Sequence, residues 1–498
     1  MNLPSLFEPS LRRRHQHGGL EFQGKEYTFG EVEERSNRLA HRLLEDGLRP
    51  GDRVAVYLKN CVELIEIYLA AVKTGMIFTP INILYREREI THILHDAEPK
   101  VIFSRRESDE IVKPAVDGSA IRQWRVEDLE ELTAGRSNES PRMDLHDNTV
   151  ASLVYTSGTT GQPKGAMLTH GNFAANAQSL AECWRMTPED RLLLPLPLFH
   201  VHGLGNGLHT WLALGYRMRL LERFRKETIV DDLLDFRPTV FFGVPTMYEH
   251  LLRTPPAAAK EIGQGIRLFV SGSAPLPAAT LEKFRSLFGH VILERYGMTE
   301  TLMNTSNPYE GERRPGSVGL PMPQVSIRLR DPESGGDVAD GATGEVLIQG
   351  PNVFAGYWRD PAATKEAFTE DGYFRSGDLG LRMSDGYYTL QGRCKELIIS
   401  GGFNIYPREV EEFLQQQPGV ASAAVAGAPD HVKGEIPVAF IVGDASASPD
   451  PAALEAACRK SLASFKVPKR FVFVDELPRN ALGKVQKHLL AGLPERKL

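Results

Sequence analysis

The chain has 498 residues, of which 42% are hydrophobic and 24% charged, and its formal net charge is −6. This length allows about three domain-sized units, and the composition is that of a globular protein rather than a disordered or fibrous one. The negative charge disfavours a general nucleic-acid binder.

The cysteine pattern and the amino terminus point to a protein of a reducing compartment. Cys61, Cys183, Cys394 and Cys458 lie far apart with no CxxC pair, so neither a zinc cluster nor a disulfide framework is indicated. The first residues contain no apolar core of signal-peptide length, and no run approaches the roughly 18 apolar residues of a membrane span. We therefore expect a cytoplasmic protein without a membrane partner.

The first elements along the chain alternate between helices and strands. Thr28-x-x-Glu31 predicts a capping box before an amphipathic helix, and "DRVAVYL" then predicts a buried strand. Residues 62–73 predict a second helix, and Gly75 follows its end. Further strand patterns occur at "KVIFS", "ASLVYT", "TVFFGVP" and "IRLFVSG", and residues 133–144 have the composition of a surface linker. This alternation is typical of a layered α/β domain.

The pattern changes twice towards the carboxyl end. After about residue 315, short strands alternate with Gly, Pro and Asp turns, which predicts a β-rich subdomain. After Arg393, two helical and three strand patterns predict a compact α+β unit. We therefore predict an α/β protein with a large multi-layer N-terminal domain, 1–394, whose β-rich subdomain spans about 315–394. A small mobile α+β C-terminal domain, 395–498, completes it.

The segment "VYTSGTTGQPKG", residues 154–165, concentrates glycine and hydroxyl residues around one lysine. It joins two strand patterns, and the spacing of a P-loop that leads into a helix is absent. Glycine allows backbone N–H groups to approach phosphate oxygens closely, while hydroxyls and a lysine add donors and charge. A flexible hairpin is the alternative. The predicted phosphate-binding residues are Thr156, Ser157, Gly158, Thr159, Thr160, Gly161 and Lys164.

This loop resembles the phosphate loop of the adenylate-forming superfamily, which contains acyl-CoA synthetases, luciferases and the adenylation domains of peptide synthetases. Five more segments match in the same order and extend the resemblance over nearly the whole chain. They are "SGSAPLP" at 271–277, "ERYGMTET" at 294–301, "RSGDLG" at 375–380, "GRCKELIISGGFNIYPREVE" at 392–411 and "PRNALGK" at 478–484.

The resemblance assigns roles to individual residues of a nucleotide site. It implies that Glu300 helps to hold Mg²⁺ against the phosphates of ATP and that Thr299 binds the α-phosphate. It also implies that Asp378 grips the ribose, with Arg393 beside it. The residues implied to lie along or against adenine are Ser273, Ala274, Pro275, Tyr296 and Gly297.

Lys484 matches the catalytic lysine of the superfamily, which bridges the carboxylate and the α-phosphate during adenylation. The reaction implied is a carboxylate attack on ATP that gives an acyl-adenylate and pyrophosphate, followed by attack of the coenzyme A thiol that releases AMP. Lys395 matches the hinge about which the small domain rotates between the two steps. Gly401 and Gly402 match the backbone along the pantetheine arm. Acetylation of Lys484 is expected to block the first step.

The acyl pocket is where the sequence becomes specific. Arg295 matches a position that faces the acyl group in the superfamily, and the resemblance implies that a guanidinium there binds a second carboxylate on the substrate. The string "ERYGMTETLMNTSNPYEG" resembles malonyl-CoA synthetases, which implies malonate and tolerance of methylmalonate. Ser271 and His200 are further candidates for the pocket. Two alternatives stay open: an ion pair of Arg295 with Glu294 or another acidic residue, and a metal pair formed by His200 and His202.

Several other functions share part of this pattern. The same ligase chemistry could act on oxalate, acetate or benzoate. A peptide-synthetase module would need a carrier domain, and the chain ends shortly after Lys484, so we expect a free-standing enzyme. A nucleotide sensor would not need both Lys484 and Glu300. A luciferase-like monooxygenase would place the Arg295 cation beside an apolar substrate.

Overall fold

A computed structural model of the chain describes residues 1–156, 163–332, 334–401, 403–444, 450–480 and 483–494. The α-helices are α1 (Leu3–Glu8), α2 (Phe29–Glu45), α3 (Val62–Thr74), α4 (Glu87–Ala97), α5 (Asp109–Val116), α6 (Leu129–Thr133), α7 (His170–Cys183), α8 (His209–Leu214), α9 (Ile229–Phe236), α10 (Pro245–Leu251), α11 (Pro256–Gly265), α12 (Ala278–Phe288), α13 (Pro361–Ala367), α14 (Pro407–Gln415) and α15 (Pro451–Ser461).

The strands of the large domain alternate with these helices. They are β1 (Gly18–Phe22), β2 (Lys25–Thr28), β3 (Arg53–Tyr57), β4 (Ile77–Pro80), β5 (Val101–Ser104), β6 (Arg122–Arg125), β7 (Val150–Thr156), β8 (Lys164–Thr169), β9 (Arg191–Leu194), β10 (Arg217–Leu220), β11 (Val240–Gly243), β12 (Leu268–Ser271), β13 (Leu293–Met298), β14 (Leu302–Ser306), β15 (Ser317–Pro321), β16 (Ser326–Arg330), β17 (Thr343–Gln349), β18 (Phe374–Arg382) and β19 (Tyr388–Arg393).

The predicted capping box at the start of α2 is confirmed. Thr28 Oγ1 accepts from the N–H of Glu31 at 3.0 Å, and Glu31 Oε2 accepts from the N–H of Thr28 at 2.7 Å. The two side chains thus satisfy backbone donors that a helix start leaves free. Helix α3 ends as the sequence predicts, with Gly75 in the left-handed conformation at φ 72°.

Two sheets form the large domain within the described residues. One has the strand order β6-β5-β3-β4-β7-β8, and the other runs β16-β17-β18-β19-β15-β14-β13-β12-β11-β9-β10-β1-β2. The neighbours β9, β11, β12 and β13 are parallel, so their carboxyl ends meet at one edge, where ligands bind in open α/β sheets. From β13 to β16 every pairing is antiparallel.

The small domain contains a third sheet and its own apolar core. Its strands are β20 (Ile398–Ser400), β21 (Phe403–Ile405), β22 (Val420–Asp430), β23 (Gly434–Gly443) and β24 (Arg470–Phe473). Helices α14 and α15 contribute the buried residues Val410, Leu414, Leu454 and Cys458 to that core. The predicted fold class, a large α/β domain followed by a smaller α+β domain, is confirmed.

No helix within the described ranges is both long and apolar enough to cross a lipid bilayer.

Candidate active site

Three of the residues predicted for the ribose and adenine meet on the β13 and β18–β19 strands. Arg393 Nε lies 2.7 Å from Asp378 Oδ1, and the hydroxyl of Tyr296 donates to Asp378 Oδ2 at 2.6 Å. Asp378 and Arg393 are register partners in the β18–β19 ladder, which brings the two charges together. The carboxylate is thus held in one orientation by two neighbours.

Glu300 and Thr156 also meet, at a second position in the predicted nucleotide region. The Thr156 hydroxyl donates to Glu300 Oε1 at 3.5 Å, and the Tyr357 hydroxyl donates to the same oxygen at 3.2 Å. Glu300 is buried, and burial raises the pKa of its carboxyl above the ordinary value. A cation bound beside Glu300 would compensate this desolvated charge, so the site fits a Mg²⁺ ion.

Lys164 stands at the carboxyl side of the predicted phosphate loop, where β8 begins. Its Nζ lies 3.3 Å from Asp360 Oδ2 and 5.5 Å from the centre of the Tyr357 ring. The predicted residues Ser157, Gly158, Thr159, Thr160 and Gly161 lie outside the described residues. β7 and β8 pair antiparallel on either side of them, with Thr156 opposite Lys164, as the sequence predicts for a loop between two strands.

The acyl region is dominated by the buried guanidinium of Arg295, whose residue is 5% exposed. Its Nε and Nη2 have no hydrogen-bond partner among the residues that the structure describes. Burial lowers the pKa of this guanidinium below its ordinary value. Two nitrogens of this buried cation therefore lack an acceptor among the described residues, which is a rare and costly condition in a protein interior.

Gly272 makes room for this guanidinium. A Cβ atom added at Gly272 would lie 2.7 Å from Arg295 Nη1 and closer still to Cζ and Nε. Gly272 follows β12, and Ser271 is the register partner of Glu294 on β13, so the glycine lies directly beside the arginine. A side chain at position 272 and this arrangement of Arg295 exclude each other.

Two more buried side-chain atoms, His202 Nε2 and Ser271 Oγ, lack hydrogen-bond partners within the described ranges. The charge of Arg295 acts on His202. Ser271, in contrast, is the register partner of Glu294 and points to the sheet face opposite to Arg295. His202 Nδ1 lies 3.1 Å from Ser273 Oγ, and Ser273 holds the left-handed backbone conformation at φ 71°. Burial and the Arg295 charge lower the pKa of His202, and they lower that of His200 to about 4. Both imidazoles are therefore neutral at physiological pH.

The alternative of an Arg295–Glu294 ion pair does not hold. Successive residues of a strand point to opposite faces, and Glu294 Oε1 accepts from the N–H of Leu276 at 3.2 Å. As for the alternative metal pair, His200 and His202 belong to no group of three or more metal-ligating side chains in the described part of the chain. Both histidines instead border the acyl region through Arg295 and Ser273.

Lys484 is carried by a loop of the small domain that we call the lysine loop, residues 478–486, of which 481–482 are not described. Lys484 N–H donates to Asn480 Oδ1 at 2.9 Å, and the N–H of Asn480 donates to the Lys484 carbonyl at 2.9 Å. A Cβ at Gly483 would lie 2.8 Å from Thr246 Cγ2, so the loop touches α10 of the large domain.

The Lys484 side chain faces the nucleotide region across the space between the two domains. Desolvation and the charge of Arg393 lower its pKa, while Asp378 acts in the opposite direction. The residue nevertheless keeps an exposed surface. Lys484 is thus exposed and close enough to Asp378 and Arg393 for both charges to act on its pKa.

The remaining predicted residues lie in or beside this region with less distinctive geometry. Thr299 is buried next to Glu300, and Gly297 has no room for a side chain because an added Cβ would lie 3.0 Å from the carbonyl carbon of Leu302. Lys395 lies in a short 3₁₀ turn, Cys394–Glu396, between the domains. Ala274 and Pro275 follow Ser273 in a loop without regular structure.

The predicted coenzyme A residues are separate from this cluster. Gly401 turns between β20 and β21 at φ 58°, and its N–H donates to the Lys433 carbonyl at 2.8 Å inside the small domain. Gly402 lies outside the described residues. In this arrangement of the domains, Lys484 rather than Gly401 faces the Asp378–Arg393 pair.

Gly272, Tyr357 and Asp360 were missed by the sequence reasoning, and His202 was considered only as a metal ligand. Gly272 carried a local signal, since it stands between Ser271 and Ser273 in the matched "SGSAPLP" segment. Tyr357 and Asp360 carried none, because they are far along the chain from the Glu300 and Lys164 side chains that they contact.

Comparison with known proteins identifies the family. A model of the AMP-binding enzyme family matches residues 7–358, and a model of the AMP-binding enzyme C-terminal domain matches residues 409–484. The chain is 37% identical to a sulfoacetate–CoA ligase of Cupriavidus necator, with 93% of this chain and 92% of the relative covered. It is 32% identical to a malonate–CoA ligase of Arabidopsis thaliana, with 94% and 84% covered.

Solved structures of one protein, MatB from Rhodopseudomonas palustris, are similar over nearly the whole length. The ATP-bound form has 41% sequence identity and a TM-score of 0.93, with 98% of each chain covered. The apo form has the same identity and a TM-score of 0.83, with 99% of each chain covered. The present structure thus superposes better on the ATP-bound form.

Proposed function

The chain belongs to the AMP-binding enzyme family and is an ATP-dependent acid:CoA ligase, and we propose that its acid is malonate, converted to malonyl-CoA through an acyl-adenylate. One observation carries this proposal: Arg295 is buried in the acyl region while its Nε and Nη2 lack partners among the described residues. Malonate supplies a second carboxylate that accepts from both nitrogens.

The energetic argument favours a substrate with two anionic groups. Leaving a buried charge without its partner costs about 3–5 kcal/mol, and this cost is removed only by a substrate that carries an acceptor at the far end. His202 Nε2 is also unpaired within the described ranges and lies within the influence of the Arg295 charge, so it can donate to the same group. A monocarboxylate such as acetate would leave all of these donors without acceptors.

The length of the acid is proposed from the relatives. They include a malonate–CoA ligase and a sulfoacetate–CoA ligase, whose acids have one carbon between the two anionic groups, so we propose a short chain between the two carboxylates. Malonate has one methylene between them, and methylmalonate adds one methyl group. The malonate–CoA ligase of Arabidopsis supports this choice, since it is a relative over most of the chain.

The first step joins the near carboxylate of malonate to ATP. A carboxylate oxygen attacks the α-phosphorus, and the bond from that phosphorus to the bridging oxygen of pyrophosphate breaks. Lys484 faces this region and places a cation where negative charge accumulates. Tyr296, Asp378 and Arg393 hold the nucleoside, while Lys164 exchanges Asp360 for a phosphate oxygen.

Mg²⁺ would be held by Glu300 and would neutralise charge on the phosphates when bound. Thr156 and Tyr357 both donate to Glu300 Oε1, and these contacts would orient the carboxylate toward the ion. Thr299, beside Glu300, would donate its hydroxyl to the α-phosphate. The phosphate loop between β7 and β8 would surround the β- and γ-phosphates with its N–H and hydroxyl groups.

In the second step, the coenzyme A thiol attacks the acyl carbon as a thiolate and AMP leaves. We expect the small domain to rotate about Lys395, so that Lys484 withdraws and Gly401 and Gly402 approach the pantetheine arm. The two forms of the Rhodopseudomonas protein support such a motion, because one sequence superposes on this chain with TM-scores of 0.93 and 0.83.

Sulfoacetate is a second candidate, favoured by the Cupriavidus relative. Its sulfonate carries a negative charge and three acceptor oxygens at the position of the distal carboxylate of malonate. Arg295 therefore recognises either anion, and the choice depends on how many oxygens the space around Arg295 and His202 admits.

The experiment that tests the proposal is pyrophosphate release with ATP and Mg²⁺ over malonate, methylmalonate, succinate, oxalate, sulfoacetate, acetate and benzoate. We expect malonate to have the highest kcat/KM and Arg295→Ala to reduce it about 100-fold or more. Arg295→Lys keeps the charge but not the paired donors, so an intermediate value is expected.

Glu294→Gln is the matched control, since Glu294 lies on the same strand but points to the other face. It should keep the malonate preference. A native preference for acetate or benzoate would leave the ligase chemistry intact and refute malonate, whereas a sulfoacetate preference would replace it with the second candidate.

A further inference from the structure

One lysine near the catalytic loop is tied into the small domain by two glutamates. Lys487 Nζ lies 3.1 Å from Glu396 Oε2 and 2.7 Å from Glu411 Oε1. Glu411 Oε1 also accepts from the N–H of Val425 at 2.7 Å. The Lys487 ammonium group thus connects three parts of the small domain. These are the end of the lysine loop, the turn that contains Lys395 and Glu396, and helix α14, which packs on β22.

Lys484 and Lys487 are three residues apart but have opposite electrostatic surroundings. Desolvation opposes the charge of Lys487, yet Glu411 and Glu396 outweigh it and raise its pKa. Desolvation and Arg393 instead lower the pKa of Lys484. The charge of Lys487 is therefore neutralised inside the small domain, while that of Lys484 faces the cleft.

The ion pair between Lys487 and Glu396 lies next to the predicted hinge. Glu396 directly follows Lys395, the predicted hinge, and both lie in the 3₁₀ turn Cys394–Glu396. Lys487 starts the 3₁₀ turn Lys487–Gly492, immediately after the lysine loop. The pair consequently links the backbone at the hinge to the backbone that positions Lys484.

We infer that Lys487 is a positioning residue for adenylation, which fixes the lysine loop relative to the hinge so that Lys484 is presented to the α-phosphate. This inference rests on the proposed adenylation chemistry but not on malonate as the acid. Without the two ion pairs the loop is still held by its internal hydrogen bonds, by the Arg479–Ser422 hydrogen bond and by Val485 packed on the apolar core, but its end is no longer tied to the hinge turn. Lys484 then samples many positions, and a displacement of about 1 Å is enough to cost roughly 100-fold in rate.

The test measures the two half-reactions separately on the full chain. Pyrophosphate release with the preferred acid, without coenzyme A, reports adenylation, and thioester formation from supplied acyl-adenylate reports the second step. For Lys487→Ala we expect kcat of adenylation to fall at least about 10-fold with the KM for ATP within about 2-fold, and thioester formation to stay within about 2-fold.

Two variants separate positioning from general loss of stability. Lys487→Arg keeps both ion pairs and should recover most of the adenylation rate. Lys466→Ala removes a similar ion pair, since Lys466 Nζ lies 2.7 Å from both Glu409 oxygens and its side chain is 22% exposed against 19% for Lys487. Glu409 lies on α14, as Glu411 does, but Lys466 is remote in sequence from the lysine loop. We therefore expect both half-reactions of Lys466→Ala to stay within about 2-fold of native.

A double mutant decides whether Lys487 acts through Lys484. In the Lys484→Ala background, Lys487→Ala should add less than about 2-fold to the loss of adenylation. The inference is overturned if Lys487→Ala adenylates at the native rate, if it impairs both half-reactions to the same extent, or if the two losses multiply. Absence of pyrophosphate release by the native chain with every acid would instead refute the proposed function.

Discussion

On the nucleotide side of the site, Asp378 is paired with Arg393 and hydrogen bonded by Tyr296, whereas on the acyl side Arg295 lacks acceptors for Nε and Nη2 among the described residues. The nucleotide side is thus complete without its ligand. The acyl side is incomplete without its ligand, because the buried Arg295 cation needs the anionic group of a substrate as its partner. Under the proposed function, this difference places substrate selectivity on the acyl side as an unpaired charge that lowers the stability of the ligand-free enzyme.

The largest change in rate is expected when Lys484, the lysine that the small domain contributes to the nucleotide side, loses its charge. Lys484→Ala should reduce adenylation about 100- to 1,000-fold, as for loss of one transition-state donor, and leave thioester formation from supplied acyl-adenylate within about 2-fold. Single-turnover assays of each half-reaction measure this. Equal loss in both steps would contradict a role confined to adenylation.

The difference between the two sides can be tested by replacing Arg295 or Arg393 with an uncharged residue. The free energy of unfolding should change with opposite sign in the two variants. Arg295→Met should raise the free energy of unfolding of the ligand-free enzyme by about 1–4 kcal/mol, because a buried unpaired charge is replaced by an apolar chain. Arg393→Met should lower it by about 1–3 kcal/mol, because Asp378 is left buried without its cation.

Urea unfolding of the native chain and both variants gives these values. Saturating malonate should stabilise the native chain and Arg393→Met but not Arg295→Met. If both variants lose stability to the same extent, Arg295 is paired in solution and the two sides do not differ.

A third prediction concerns the space that the acyl side reserves for its arginine. Gly272→Ala should reduce kcat/KM for malonate about 10-fold or more, since the added Cβ would overlap the guanidinium. In an Arg295→Ala background the same change should cost less than about 2-fold. Kinetics of the single and double variants measure the coupling, and additive losses would show that the two positions do not interact.

The smallest expected effect is a pH dependence confined to one step. Because the pKa of Lys484 is lowered, its ammonium is present at low pH and is lost as pH rises through that lowered value. Adenylation should therefore decline on the alkaline side, below the ordinary range of a lysine, while thioester formation from acyl-adenylate should not follow the same limb. Lys484→Arg should abolish the alkaline decline, and its persistence would assign the limb to another group.

The elements and the fold class could be predicted from the sequence because their signals are local. The capping box at Thr28, the left-handed Gly75 after α3, and the two strands flanking residues 157–163 depend on neighbours within a few residues. The family was also predicted, since six short motifs occur in one order, and the comparisons confirm it. The roles of individual residues in those motifs stay predictions that the experiments above test.

The sequence by itself determined the architecture, the family and the identity of Arg295 as an unusual residue in the acyl region. Only the tertiary structure decided that Arg295 is buried without an acceptor among the described residues, that Gly272 makes room for it, and that Lys487 joins Glu396 and Glu411. The physical reason is that pairing and burial depend on contacts between residues distant in the chain. A local pattern fixes which way a strand faces, but not what lies opposite it.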